Sequence, residues 1–145
     1  MIKRILKDID NLVKIAPDTI IDNNNIVYFT LEGPKDSIYE NGKWAIRIEF
    51  PKQYPYKSPS VGFITKIYHP NVDFNSGTIC LNVLNKSWTP IYNLTHIYSI
   101  FLPQLLMYPN ANDPLNIDSS ELFLSNIDEF NKNVIKNINK YCINL

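Results

Sequence analysis

Apolar and polar positions follow two different periods along the chain. Over residues 2–13, isoleucine, leucine and valine recur every three or four positions, which predicts an amphipathic first helix that ends before Pro17. The other faces of this helix carry Lys3, Arg4, Lys7, Asp8 and Lys14. Residues 26–32, 43–50 and 61–68 are rich in β-branched and aromatic residues and nearly alternate, so we predict consecutive strands there. An antiparallel meander is their simplest arrangement.

The second half of the chain has a helical pattern. Large apolar residues dominate residues 94–108, which predicts a buried helix. Pro103 either kinks this helix or lies in its first turn. The sequence Asp-Ser-Ser-Glu at residues 118–121 is typical of a helix start, and residues 127–143 predict a last amphipathic helix. A helix, then strands, then helices indicate an α+β fold in one domain that spans residues 1–145.

Charge and hydropathy argue against several classes of partner. The 14 basic residues balance 14 acidic ones, so nothing in the net field favours a nucleic acid or a membrane surface. Charged residues interrupt the apolar positions of the N-terminus, which therefore lacks the core of a signal peptide, and no run approaches the length of a membrane span. We predict an intracellular protein whose partners are proteins or small molecules and whose two cysteines stay reduced.

One of those cysteines has unusual surroundings. Residues 69–82 read HPNVDFNSGTICLN, so Cys80 follows asparagine, serine, glycine and threonine rather than the apolar residues that normally surround a free thiol. His69 and Asn71 suggest a Cys-His-Asn protease, but the local motifs of those proteases are absent. A zinc site is disfavoured too, because the two cysteines and two histidines do not occur at paired ligand spacing. We therefore predict no metal.

A third interpretation makes the thiol a carrier of an acyl group. Exchange between thioesters is nearly balanced in energy, so such a site needs an accessible thiol and a donor for the oxyanion more than it needs a strong base. Asn71 offers a side-chain amide for that oxyanion, and Cys80 offers the thiol. The sequence is therefore suited to accept an acyl group from one thioester and to pass it to an amine.

A set of short motifs, in order along nearly the whole chain, supports this interpretation. They are GP at 33–34, IYENG at 38–42, Trp44, FP at 50–51, YPYKSP at 54–59, HPN at 69–71, GTICL at 77–81, WTP at 88–90, YPN at 108–110 and DPLN at 113–116. Together they resemble the ubiquitin-conjugating enzyme family. The sequence FLPQLLMYPNANDPLN is similar to the subgroup directed at histones and gluconeogenic enzymes, which is associated with CTLH-type ligases, also called GID.

The resemblance implies a fold and a role for each motif residue. The fold would have an N-terminal helix, a four-stranded antiparallel meander, an active-site loop and C-terminal helices. Cys80 would accept ubiquitin from the activating enzyme as a thioester, Asn71 would hydrogen-bond the oxyanion, and Asp113 would orient and desolvate the acceptor lysine. Asn71 can at the same time hold the turn before Cys80, and Asp113 can equally be a turn residue before Pro114. The structural residues of the active-site motif would be His69, Pro70 and Trp88.

The resemblance also implies partners. They are ubiquitin, the activating enzyme, a ubiquitin ligase and substrate lysines, with no cofactor because the activating enzyme consumes the ATP. The surface for the ligase and the activating enzyme would combine the first helix with two loops. Its residues would be Lys3, Arg4, Lys7, Phe63, Pro90 and Ile91. The three basic residues can equally form an ordinary solvated helix face. We expect a monomer in the cytoplasm, the nucleus or both.

Two alternatives stay open. The cargo can be another ubiquitin-like modifier, or the chain can be a non-catalytic module that binds ubiquitin through the same fold. Silent variants of the fold lack the cysteine, so the presence of Cys80 after an intact HPN argues against the second alternative.

Overall fold

The computed structural model describes residues 2–79 and 84–142. In chain order it has helix α1 (Ile2–Ile15) and strands β1 (Ile20–Ile21), β2 (Val27–Glu32), β3 (Lys43–Glu49) and β4 (Ser60–Phe63). A helical half follows, with α2 (Leu94–His96), a π-helical turn (Ile97–Phe101), α3 (Leu102–Met107), α4 (Ile117–Ser125) and α5 (Ile127–Tyr141). The predicted α+β order is confirmed.

The described strands form one antiparallel sheet in the order β1-β2-β3-β4, so the predicted meander is confirmed. The inner face of the sheet follows the alternation of the sequence. Its buried side chains in β2 and β3 are Val27, Phe29, Leu31, Trp44, Ile46 and Ile48. The buried apolar residues of α1, α3 and α5 belong to the same core cluster. The helices therefore pack on one face of the sheet and bury its apolar rows.

Two details of the sheet differ from the sequence prediction. Strand β1 has 2 residues, which is too short to show an alternation. The strand predicted over residues 61–68 ends at Phe63. Beyond it, the hydroxyl of Thr65 accepts a hydrogen bond from the main-chain N–H of Ala45 at 3.0 Å, where a continued ladder would use a carbonyl. The side chain thus replaces the next ladder bond, and the chain leaves the sheet.

The buried face of α1 also differs from the prediction. Asp8, which the pattern places on a polar face, is 3% exposed. Its carboxylate accepts hydrogen bonds from Nε of Arg4 at 2.9 Å and from the hydroxyl of Tyr54. Ile2 and Leu6, which the pattern places on the apolar face, are exposed. The prediction is wrong for Asp8 because a carboxylate can be buried when a distant part of the chain supplies its partners.

The helix predicted over residues 94–108 is confirmed as a helical segment that passes through Pro103. A proline has no N–H and cannot bond the carbonyl four residues before it. The segment adapts with its π-helical turn, in which the N–H of Leu102 bonds the carbonyl of Ile97 and Pro103 falls in the first turn of α3. The buried side chains of this segment are Leu94, Ile97, Leu102, Leu105 and Leu106.

Asparagine side chains begin α4 and α5. Asn116 caps α4 by accepting the N–H of Ser119 at 3.1 Å, and Asn126 caps α5 by accepting the N–H of Glu129 at 3.2 Å. The start predicted at residues 118–121 is therefore late, because the capping side chain precedes Asp118. The last helix ends at Tyr141, and residue 143 of its predicted range lies outside the described residues.

Candidate active site

Cys80 lies outside the described residues, and the structure describes the chain up to Ile79 and again from Leu84. Ile79 is 4% exposed and forms an isolated antiparallel bridge with Val72. Leu84, on the other side, is also buried. The chain that leads to Cys80 is thus held against the residue that follows Asn71.

His69 is fully buried and both of its ring nitrogens are engaged. Nε2 donates a hydrogen bond to the carbonyl of Leu105 at 2.8 Å, and Nδ1 accepts one from the main-chain N–H of Asn71 at 2.9 Å. A carbonyl can only accept and an N–H can only donate, so the ring is the neutral tautomer with its proton on Nε2. Burial lowers the pKa of His69 to about 4. The imidazole therefore braces the loop and has no free nitrogen for proton transfer.

We expect the free energy of unfolding to fall as the pH drops below about 6.5, the pKa of an unfolded histidine. The pKa of His69 in the fold is about 4. Between these two values the unfolded chain binds a proton that the folded chain does not, so stability is lost as the pH falls. The free energy of unfolding, measured with urea, is expected to be about 2 kcal/mol lower at pH 5 than at pH 7.5 because of His69.

His69→Asn is the matched variant for this measurement. It is expected to be less stable at pH 7.5 and to lose most of that pH-dependent difference, because no buried imidazole remains. An unchanged difference in the variant would assign the pH dependence to other groups.

The amide of Asn71 is fully hydrogen-bonded within the protein. Nδ2 donates to the carbonyls of Asn110 at 2.6 Å and Asp113 at 3.0 Å, and Oδ1 accepts the N–H of Asn110 at 2.8 Å. An asparagine amide has two protons, so both are used here. The side chain is buried and joins the HPN motif to residues 110–113. In this structure it has no proton left for an oxyanion.

Pro70 adds a second connection between the same two segments. Its carbonyl accepts the N–H of Leu115 at 2.9 Å and the N–H of Asn116 at 3.0 Å. Pro70 and Asn71 together hold residues 110–116 in one position through main-chain and side-chain bonds. That position places Asp113 beside the HPN motif.

A cavity of about 300 Å³ lies between the segment after residue 83 and the loop that carries Asp113. Its walls include Leu84 and Phe101 on the apolar side and Lys86, Tyr108 and Asp113 on the polar side. Asp113 is half-buried, and Tyr108 is exposed at the mouth. The cavity is wide enough for an extended side chain such as that of a lysine, and a carboxylate lines it.

Trp88 connects two loops near this site. It is 8% exposed, and Nε1 donates a hydrogen bond to the carbonyl of Pro55 at 2.8 Å. Its ring lies 6.0 Å from that of Tyr54 and 6.1 Å from that of Tyr92, measured between centroids. Loop 51–59 and loop 88–92 are therefore packed together through Trp88.

The predicted partner surface is wrong at Phe63. This residue is 4% exposed at the end of β4 and packs its ring edge-on against Trp44. Val61 and Phe63 are two residues apart in β4, so their side chains point to the same side of the sheet and both are buried. The exposed aromatic that the sequence reasoning missed is Tyr56 in loop 51–59, which is 78% exposed. Its signal was an aromatic residue within a proline-rich loop.

The other predicted surface residues divide into two groups. Pro90 and Ile91 of loop 88–92 are exposed, and so are Lys3 and Lys7 of α1. Arg4 is half-buried and its guanidinium is occupied by hydrogen bonds within the protein. We call Lys3, Lys7, Tyr56, Pro90 and Ile91 the docking surface.

Residues 2–79 and 84–142 contain neither a candidate metal cluster nor a candidate membrane span. In these ranges no group of three or more histidine, cysteine, aspartate or glutamate side chains could hold a metal ion. The same ranges contain no helix long and apolar enough to cross a membrane.

Comparison with known proteins places the whole arrangement in context. A family model described as ubiquitin-conjugating enzyme matches residues 2–138. Ubiquitin-conjugating enzyme E2 5 of Arabidopsis thaliana is 50% identical over 124 residues, which cover 86% of this chain and 67% of that protein. Ubiquitin-conjugating enzyme E2 13 of Schizosaccharomyces pombe is 37% identical over 146 residues, which cover 97% of both chains.

A solved structure agrees on the fold. The ubiquitin-conjugating enzyme domain from Toxoplasma gondii superimposes with a TM-score of 0.86 and covers 98% of this chain and 99% of that chain. The two sequences are 24% identical, so this likeness concerns the fold. The predicted arrangement of helix, meander and C-terminal helices is confirmed.

Proposed function

This chain belongs to the ubiquitin-conjugating enzyme family, and we propose that Cys80 is the residue on which it carries ubiquitin. The observation that supports this most is the bridge between Ile79 and Val72, because it holds the chain leading to Cys80 beside the HPN motif. The thiolate of Cys80 attacks the thioester carbonyl on the activating enzyme, and the cysteine of that enzyme leaves. Ubiquitin is then held as a thioester until an amine attacks.

The second transfer requires a neutral lysine. With a pKa near 10.4, a free lysine at pH 7 requires about 4.6 kcal/mol to present a neutral amine. Asp113 lines the cavity beside the HPN motif, and its carboxylate can orient the ammonium group of a lysine there and accept a proton from it. The amine then attacks the thioester carbonyl carbon, the C–S bond breaks, and Cys80 leaves as a thiolate.

Asn71 contributes to this transfer by holding residues 110–116 against the HPN motif. Its amide could donate to the oxyanion only by giving up a bond to the carbonyl of Asn110 or Asp113. The carbonyl that is released would then lose this partner, which disfavours the exchange. Its first role is therefore to position Asp113.

The docking surface is the part of this chain best suited to the activating enzyme and to a ligase. Tyr56 and Ile91 are 78% and 81% exposed and can enter apolar pockets of a partner, with Lys3 and Lys7 beside them for acidic groups. The resemblance of residues 101–116 supports a ligase of the CTLH type, also called GID. It also supports action in the cytoplasm or nucleus, as a monomer and without a cofactor.

A loading assay tests the proposed function. The protein is incubated with activating enzyme, ATP and ubiquitin, and the products are separated with and without reducing agent. We expect a band larger by one ubiquitin that disappears on reduction. If the protein is loaded with a different modifier by the activating enzyme of that modifier, but not with ubiquitin, the cargo is that modifier. Loading with none of them would favour a module that only binds ubiquitin.

A further inference from the structure

The carboxylate of Asp8 is a buried charge outside the active site. The side chain is 3% exposed, and its Oδ2 accepts hydrogen bonds from Nε of Arg4 at 2.9 Å and from the hydroxyl of Tyr54. A buried carboxylate without partners is strongly destabilising, so these two bonds are a condition of its burial. The presence of such a group in α1 calls for a reason beyond packing, because an apolar side chain would fill the space without that requirement.

Arg4 links this carboxylate to a loop far along the chain. Its Nη2 donates to the carbonyl of Pro90 at 3.0 Å and to the carbonyl of Tyr92 at 2.6 Å, while Nε holds Asp8. The guanidinium also lies over the ring of Tyr54, with 5.6 Å from Cζ to the ring centroid. A planar guanidinium has five donors in fixed directions and can serve these acceptors at once, whereas a lysine ammonium could not.

Tyr54 brings the second loop to the same point. It belongs to loop 51–59, where Tyr56 is exposed, and its hydroxyl ends on Asp8. Trp88 then packs on Tyr54 and bonds the carbonyl of Pro55, which closes the contact between the two loops. Burial and the bond to Asp8 raise the pKa of Tyr54, so its hydroxyl remains a donor.

We propose that Arg4, Asp8 and Tyr54 form a network that sets the relative position of Tyr56 and Ile91 for docking of the activating enzyme. The three residues are positioning residues and do not contact the partner themselves. Nε and Nη2 of Arg4 are already bonded within the protein, so withdrawing Nε for an acidic group of a partner would remove one of the two donors of the buried Asp8. This inference rests on the proposed function, because it concerns the surface through which the protein is loaded.

The kinetics of loading test the network, because Asp8 is buried and cannot contact a partner directly. Asp8→Asn and Arg4→Gln are each expected to raise the KM of the activating enzyme for this protein by about tenfold with little change in kcat. Lys14→Gln, which removes an exposed charge from the same helix outside the docking surface, is the matched control and is expected to leave the KM unchanged. The double variant is expected to be no worse than either single one, because both break the same network. A raised KM for Arg4→Gln with an unchanged KM for Asp8→Asn would make Arg4 a direct contact and overturn the proposal.

A spectroscopic measurement separates positioning from a general loss of stability. The chain has two tryptophans, so protein labelled with 5-fluorotryptophan gives one ¹⁹F resonance for Trp88 and one for Trp44 in the core. Asp8→Asn is expected to move the resonance of Trp88 and to leave that of Trp44 in place. An unchanged resonance of Trp88 would overturn the proposal. Changes in both resonances would show a general effect on stability and would also overturn it. If the wild-type protein fails to load, the proposed function fails, whereas the ¹⁹F result still decides whether the network holds the two loops.

Discussion

Cys80→Ala is expected to abolish the adduct with ubiquitin completely, because the methyl group of alanine has no nucleophilic atom that could form the acyl bond. Cys80→Ser is expected to give an adduct that survives reduction, since the hydroxyl forms an oxyester in place of the thioester. The measurement is the loading assay, run for each variant with and without reducing agent. These two variants together identify both the residue and the type of bond.

Cys142 provides the control within the same chain. It is half-buried just after α5, and burial raises the pKa of its thiol, so less of it is thiolate at neutral pH than for a free cysteine. Cys142→Ala is therefore expected to load as the wild type does. A band that vanishes with Cys142→Ala and survives with Cys80→Ala would move the carrier role to the other thiol.

Asn71→Ala is expected to lower both the stability of the fold and the rate of transfer. The substitution leaves two carbonyls and one N–H without their partner, which is expected to reduce the free energy of unfolding by about 3 kcal/mol. With residues 110–116 released, transfer from the loaded enzyme to free lysine is expected to slow about 100-fold, because Asp113 is no longer held in position for the reacting amine. Urea unfolding and single-turnover discharge measure the two effects. A slowed discharge with unchanged stability would instead support a pure oxyanion donor.

Asp113→Asn is the matched variant for Asn71→Ala. It keeps the main-chain carbonyl that accepts from Asn71 and removes only the carboxylate in the cavity. We expect stability close to that of the wild type and slower discharge to lysine. Discharge to hydroxylamine, an amine that is already neutral at pH 7, is expected to be affected less. Equal slowing with both amines would argue against a role for Asp113 in preparing the lysine.

Much of the architecture follows from patterns that are local in the sequence. The alternation in β2 and β3 determines which side chains face the core, because successive residues of a strand point to opposite sides. The apolar pattern of residues 94–108 predicts a helical segment that passes Pro103, and the π-helical turn before this proline accommodates its missing N–H. The HPN motif and Cys80 were recognisable because their residue types are unusual together in a short stretch. None of these conclusions needs knowledge of a distant partner.

Other features depend on contacts between parts of the chain that are far apart. Asp8 looks like a surface residue until Arg4 and Tyr54 converge on it, and only the fold brings Tyr54 to α1. The same holds for Asn71, whose amide is occupied by residues that follow it by a long interval.

By itself, the sequence determined the order of the elements, the inner face of the sheet and the residue types available for chemistry, because these depend on period and composition. Only the tertiary structure decided that Asp8 is buried while Ile2 and Leu6 are exposed, and that Arg4 is bound to loop 88–92 instead of facing solvent. The physical reason is that burial and hydrogen bonding of a side chain are settled by its neighbours in space. Those neighbours come from segments whose distance no local pattern records.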